Sequence, residues 1–376
     1  MFGAMLTACS EESVQDMQPN HEIRLCLGTQ HFAPETRTLP TDFEAYTPSA
    51  SDVQILGFMA PDDTSSPIVQ GLFSPSTSSS LPRWSSRVKM EDAGTYYFYG
   101  FMPKRTENSA TLSLNSFLTT GETLTYKHGA TLTIDGLSAI STDDVCVVVG
   151  AKGYSTDPLL DINDSQIEMT ERLGKFDIYI SDDVTDVYLL MDHIYSRLLF
   201  KLKIDATYAT LRTIKVKRMT LVSADAQSDV VKTVKAEVKI GATDGTQNPI
   251  LGDEAHSITI TNVEMGQPDT PAILYNDEDA PLELEVTTPK EVQAFFAASS
   301  VKRFILETTY DVYDRKGNLI RKNEKAQNKF TPTEPNSSTP ATLDIGQQYV
   351  YTITVAPTYL YVLSEPDLDS PTFTLN

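Results

Sequence analysis

A chain of 376 residues is too long for one ordinary hydrophobic core, and about two domains is the natural expectation. Hydrophobic residues make up 40% and charged residues 22%, the balance of a folded chain rather than a disordered one. A formal net charge of -21 without any basic cluster excludes a nucleic-acid-binding face and suits an exported protein kept soluble by self-repulsion. No run reaches the ~20 apolar residues of a spanning helix.

The chain opens with Leu6-Thr7-Ala8-Cys9, a small-residue pair before a cysteine, followed by the polar stretch 10–20. This is the pattern of a bacterial lipoprotein cleavage site, in which the freed Cys9 carries the lipid. Only eight residues precede Cys9 and none is Lys or Arg, so residues 1–20 are read as a signal remnant and tether. The other two cysteines, Cys26 and Cys146, lie in apolar, strand-like surroundings, as buried thiols or as one disulfide.

From residue 21 onward the leading signal is period-two alternation cut by turn residues, the pattern of antiparallel β-sheet. Strands are expected over 22–27, 53–59, 96–102, 131–134 and 145–149, with the Ser/Pro-rich stretch 75–86 as loop. Around residues 174–186 two strand-like segments are interrupted by Asp182-Asp183, and a domain boundary is placed there. Beyond it, strands are expected over 198–204, 214–222, 234–240, 257–263, 282–286 and 304–313. The last leads into Asp314-Arg315-Lys316-Gly317-Asn318, a hairpin turn in which glycine supplies the positive φ. Long amphipathic helices are absent, and 291–297 is at most a short helical turn. The expected fold class is all-β, two tandem antiparallel β-sandwich domains covering 21–178 and 179–376.

Catalytic chemistry is hard to find. None of the five histidines is spaced as a zinc pair, and His193 reads as a hydrogen-bonded residue at a domain edge. Asp161-Ile162-Asn163-Asp164-Ser165 starts like a calcium loop but has Gln166 where glycine is required. The single Trp84 either packs or stacks on a sugar. No catalytic residues, metal ligands or cofactors are expected, and the chain does not read as an enzyme.

Several segments taken together resemble the fimbrillin family, the pilins of outer-membrane-anchored type V fimbriae of the Bacteroides group. These are the aromatic strand at Gly94-Thr95-Tyr96-Tyr97-Phe98-Tyr99-Gly100-Phe101-Met102-Pro103 and the His-containing segment Asp192-His193-Ile194-Tyr195-Ser196-Arg197-Leu198. The late hairpin at 309–318, the strand Tyr349-Val350-Tyr351-Thr352-Ile353 and the Cys9 motif complete the pattern, which spans nearly the whole chain.

The resemblance implies two transthyretin-like β-sandwiches and export to the outer membrane as a lipoprotein. It further implies that an Arg-specific protease removes the lipidated terminus with the first strand, and that a C-terminal strand of the next subunit fills the groove. Backbone hydrogen bonds would give affinity and alternate side chains would enter pockets. In this sequence the removable first strand is 21–37, with Ile23, Leu25 and Leu27 on one face. The cleavage site is placed after Arg37, before Thr38, in the loop 31–40; Arg24, within the strand, is second choice. The donor appendage is 359–376, with Tyr359, Tyr361, Leu363, Phe373 and Leu375 as alternating apolar residues; the other reading of this segment is that it supplies the closing strands of the second sandwich. The expected partners are further copies of this chain or related pilins, the protease, the membrane through its lipid, and host or bacterial surface ligands. The location would then be first the outer membrane and later the extracellular fimbrium, with the shaft, anchor or tip role open. The competing reading is a lipid-anchored glycan-binding module or tip adhesin, which requires clustered exposed aromatics, for which Trp84 and some of the tyrosines are the candidates.

Overall fold

A computed structural model of the chain describes residues 22–29, 33–34, 44–45, 52–59, 69–76, 83–89, 94–104, 111–115, 130–155, 177–180, 184–224, 231–240, 256–266, 271–297, 303–332, 343–356 and 372–375. The first half supplies β1 (Glu22–Thr29), β2 (Ala33–Pro34), β3 (Glu44–Ala45), β4 (Asp52–Met59), β5 (Val69–Ser76), β6 (Arg83–Lys89) and β7 (Gly94–Lys104). There follow β8 (Thr111–Asn115), β9 (Ala130–Ser138), β10 (Ile140–Ser141), β11 (Cys146–Ser155), β12 (Asp177–Ile180) and β13 (Val184–His193). The second half supplies β14 (Tyr195–Ile204), β15 (Arg212–Ser223), β16 (Val231–Ile240), β17 (His256–Met265), β18 (Ala272–Asn276) and β19 (Leu282–Glu283). It ends with β20 (Lys290–Ala297), β21 (Phe304–Asp314), β22 (Leu319–Phe330), β23 (Gln347–Val355) and β24 (Thr372–Leu375). Among the described residues the one helix is α1 (Ala206–Ala209), whose first turn is capped by the Asp205 carboxylate accepting from the Thr207 and Tyr208 amides. The chain is all-β, as its alternation predicts.

The first sheet runs β11-β13-β1-β6-β5-β4-β7-β12 and bends back on itself, because β11 also pairs with β7 at Cys146–Met102 and Val147–Phe101. In β7 the run Tyr96 to Met102 is buried on both faces, which explains why it reads as a continuous aromatic stretch and not as alternation. Gly100 in that run is required by close approach: a Cβ there would strike the Gln54 carbonyl oxygen and the Ile55 side chain of β4. A second sheet, β17-β16-β9-β8, contributes Leu132, Ile134, Val234, Ala236 and Val238 to the same core, with Ile258 and Ile260 packed on it from one face of β17.

The second core lies between the sheet β10-β20-β14-β23-β2 and the sheet β18-β15-β21-β22. Its centre is aromatic, with Phe330 5.7 Å from Phe200, 5.5 Å from Phe304 and 5.6 Å from Tyr351. Between β21 and β22 the expected hairpin forms: Gly317 takes φ 79°, and the Asp314 carboxylate accepts from the amides of Lys316 and Asn318 at 2.8 and 2.9 Å. The Asn318 side chain and amide hold the Asp314 carboxyl below its ordinary range.

Several elements differ from expectation. Residues 291–297 form a strand, β20, not a helical turn. Its Val292, Ala294 and Phe296 enter the second core while Phe295 and Ala297 enter the first, so both faces are apolar and the period is hidden. Pro75, Ser76 and 83–86 lie in the β5–β6 pair, with Pro75 opposite Trp84, and not in a loop. The alternation at 282–286 gives only the two-residue β19, and Val286 is exposed. Pairing is parallel at β1–β13, β14–β23 and β2–β23, which period-two alternation does not distinguish from antiparallel. The change of sheet falls between His193 and Tyr195, beyond residue 178, because β13 belongs with β11 and β1.

Candidate functional site

β1 is held on both edges. On one side it runs parallel to β13 from Arg24–Asp186 to Thr29–Met191, and on the other it runs antiparallel to β6, with Arg24 opposite Ser85 and Leu25 opposite Trp84. The short β3 adds pairs at Gly28–Ala45 and Thr29–Glu44. Alternation places Leu25 and Leu27 inward, and both are fully buried in the first core. Burying each contributes about 1.5–3 kcal/mol. Removing β1 would therefore leave two bare ladder edges, on β13 and β6, above an apolar channel. Ile23 shares the strand, though its side chain is outside the described residues.

The remaining predicted positions fall differently. Arg24 is inside β1, with its backbone in register on both sides. Cys9, Arg37, Thr38, Tyr359, Tyr361 and Leu363 lie outside the described residues. Phe373 and Leu375 lie in β24, which pairs antiparallel with the outer edge of β23, Phe373 opposite Ile353 and Leu375 opposite Tyr351. The same edge of β23 also receives β2, through Ala33–Gln347 and Pro34–Gln348. The segment just after β1 and the last strand of the chain thus lie along one edge.

The sequence matches no protein-family profile and no curated protein. Solved structures do match. A candidate cell-adhesion protein of Bacteroides uniformis is similar at 10% identity and TM-score 0.41, over 94% of this chain and 97% of that one. One from Bacteroides fragilis is similar at 12% identity and TM-score 0.41, with the same coverage. The fimbrial anchor protein Mfa2 of Porphyromonas gingivalis is similar at 10% identity and TM-score 0.26, over 94% of each chain.

Two other positions bear on chemistry. Trp84 is 1% exposed within the first core, so it is not available to stack on a sugar. Among the described residues the exposed large hydrophobics are aliphatic: Val263, Ile273, Val286, Leu319 and Ile320. Sequence reasoning missed a buried polar set between β11 and β13. His193 Nδ1 lies 3.0 and 2.9 Å from the two Asp144 carboxylate oxygens and 3.4 Å from Cys146 Sγ. Carboxylate, thiol and imidazole atoms within 4.8 Å of one another are donors of the kinds that zinc accepts. A Cys–His–Asp relay would place the thiol and the carboxylate on opposite ring nitrogens, whereas both approach Nδ1 here. Burial, then Asp144 and Asp192, pushes the Cys146 thiol well above its ordinary range, so it stays protonated and is a poor nucleophile. The set ties the start of β11 to the end of β13. Its only sequence signal was His193 next to an apolar strand.

Proposed function

We propose that this protein is a structural subunit of cell-surface fimbriae supporting adhesion, without enzymatic activity, exported as a lipoprotein and polymerised by strand exchange. In this reading the lipid on Cys9 holds the precursor at the outer membrane. Cleavage after Arg37 frees β1 together with the anchor, and a C-terminal strand of another copy or a related pilin enters the vacated slot. The product is extracellular.

The observation that carries the reading is the position of β1: an N-terminal strand, paired on both edges and buried at Leu25 and Leu27, that precedes the predicted cleavage loop. Such a slot gives an incoming strand two ladders and two apolar pockets at once. Among the described residues β24 pairs with β23 alone, at the edge of its own sheet, so leaving would break that one ladder. The glycan-binding alternative loses Trp84, one of the aromatic residues on which it leaned beside some of the tyrosines.

The purified full chain is treated with an Arg-specific protease, then sequenced at its new N-terminus and run in SDS without heating. The expected result is a chain starting at Thr38 and a ladder of SDS-resistant oligomers. Deleting residues 373–376 should abolish the ladder and leave a folded monomer. A clipped chain that remains monomeric, or a ladder unaffected by that deletion, overturns the proposal.

A further inference from the structure

Within the second core's outer sheet, three polar side chains converge where the ladders break register. In the β15–β21 pair the register shifts between Val216 and Arg218, leaving Lys217 as the extra residue. In the β21–β22 pair it shifts between Tyr310 and Val312, leaving Asp311 facing the two-residue step Lys322-Asn323. Asn323 has φ 55°, the one positive φ outside glycine among the described residues. Bulges aim side chains that a regular ladder would carry past one another, and asparagine is among the residues that take left-handed backbone most readily at such a break.

What they aim at is one point. Lys217 Nζ lies 2.8 Å from Asn323 Oδ1 and 3.2 Å from Asp311 Oδ2, and the Asn323 backbone amide donates to Asp311 Oδ1 at 2.7 Å. The Lys217 and Asp311 side chains are only 9% and 7% exposed. A buried ion pair of this kind is expensive to desolvate and is weak as a source of stability alone. A lysine amine held against a side-chain amide, with a carboxylate touching the amine, also places nucleophile, electrophile and proton carrier together.

We propose that Lys217 and Asn323 join in an intramolecular isopeptide bond, with Asp311 as the proton carrier. Asp311 takes a proton from the Lys217 ammonium, leaving a neutral amine. The amine's lone pair attacks Cγ of Asn323, forming the new C–N bond and a tetrahedral centre. One proton passes from the attacking nitrogen to the side-chain amide nitrogen, and the bond from Cγ to that nitrogen breaks. Ammonia leaves and collects the proton from Asp311, so the net change is lysine ammonium plus primary amide giving secondary amide plus ammonium. No oxidant or cofactor takes part. The bond ties β15 to β22 across β21 and is independent of how the first sheet exchanges strands.

Intact-mass measurement of the folded full chain tests this. The expected mass is lower than the sequence mass by one ammonia, and a tryptic digest should contain one branched peptide carrying both Lys217 and Asn323. Lys217→Met and Asp311→Ala should each restore the mass calculated from the variant's own sequence. The unmodified chain should also run faster than Lys217→Met in a denaturing gel. If the folded chain keeps its full sequence mass, or if Lys217→Met still lacks one ammonia, the bond is not formed and the proposal falls.

Discussion

Cys146 illustrates what position does to a single side chain. Its thiol is fully buried at the start of β11 beside Asp144, and burial first, then Asp144 and Asp192, holds it protonated. Its folded pKa therefore lies above the unfolded value of about 8.5. The corresponding stability is fully present below that unfolded value and is lost as pH rises toward the folded one. We expect iodoacetamide at pH 8 to label Cys146 at least about 100-fold more slowly in the folded chain than in urea. The thermal midpoint should fall more steeply above about pH 8.5 in the unmodified chain than in Cys146→Ala. Fast labelling of the folded chain would contradict the burial. The sequence disclosed the apolar strand around Cys146 but not its partner His193, 47 residues away, because side-chain proximity across a ladder leaves no local pattern.

At the scale of elements, β4 and β7 are set by Gly100. The Cβ of an alanine would meet the Gln54 carbonyl and the Ile55 side chain across the ladder, where Ile55 stands opposite Gly100. Gly100→Ala is expected to cost about 2 kcal/mol, since overpacking in a tight core costs ~1–3 kcal/mol. A urea midpoint equal to that of the unmodified chain would show that the strands can separate freely. Strands with apolar residues at alternate positions were legible, most plainly β16, with Val234, Ala236 and Val238, and β21, with Phe304, Leu306, Tyr310 and Val312 buried; β4, β9, β14 and β15 were legible as well. β20 was not, because its two faces serve two cores, and neither was β22, whose charged sequence Leu319-Ile320-Arg321-Lys322-Asn323-Glu324-Lys325 lacks a hydrophobic stripe. The Ser/Pro composition of β5 and β6 likewise concealed a pair whose large buried anchors are Phe73 and Trp84. As for the candidate site, β1 and its inward Leu25 and Leu27 were legible from alternation, while the parallel pairing to β13 was not.

On the scale of the molecule, the first core is not contiguous in sequence. Val187, Leu189 and Leu190 of β13 and Val234, Ala236 and Val238 of β16 belong to it, although all lie beyond residue 178. A fragment of residues 21–178 would lack those strands and leave Leu132 and Ile134 of β9 without their β16 neighbours. We expect this fragment to be unfolded by near-ultraviolet circular dichroism and hydrogen exchange, whereas a fragment extended to residue 297 should keep protection in β9 and β11. A cooperatively folded 21–178 fragment would show that the first core is complete without β13 and β16.

The outer edge of β23 gives the proposed maturation an order in time. β2 and β24 occupy successive stretches of that edge, at Gln347-Gln348 and at Tyr351 to Thr354. Both β1 and β2 precede Arg37, so in the proposed maturation a single cut there would release one segment from each sheet together. The event proposed to ready the molecule for a neighbour's strand would also remove the segment next in line to β24. Receiving and giving would then begin from the same cut, and an uncut subunit would wait at both of its ends.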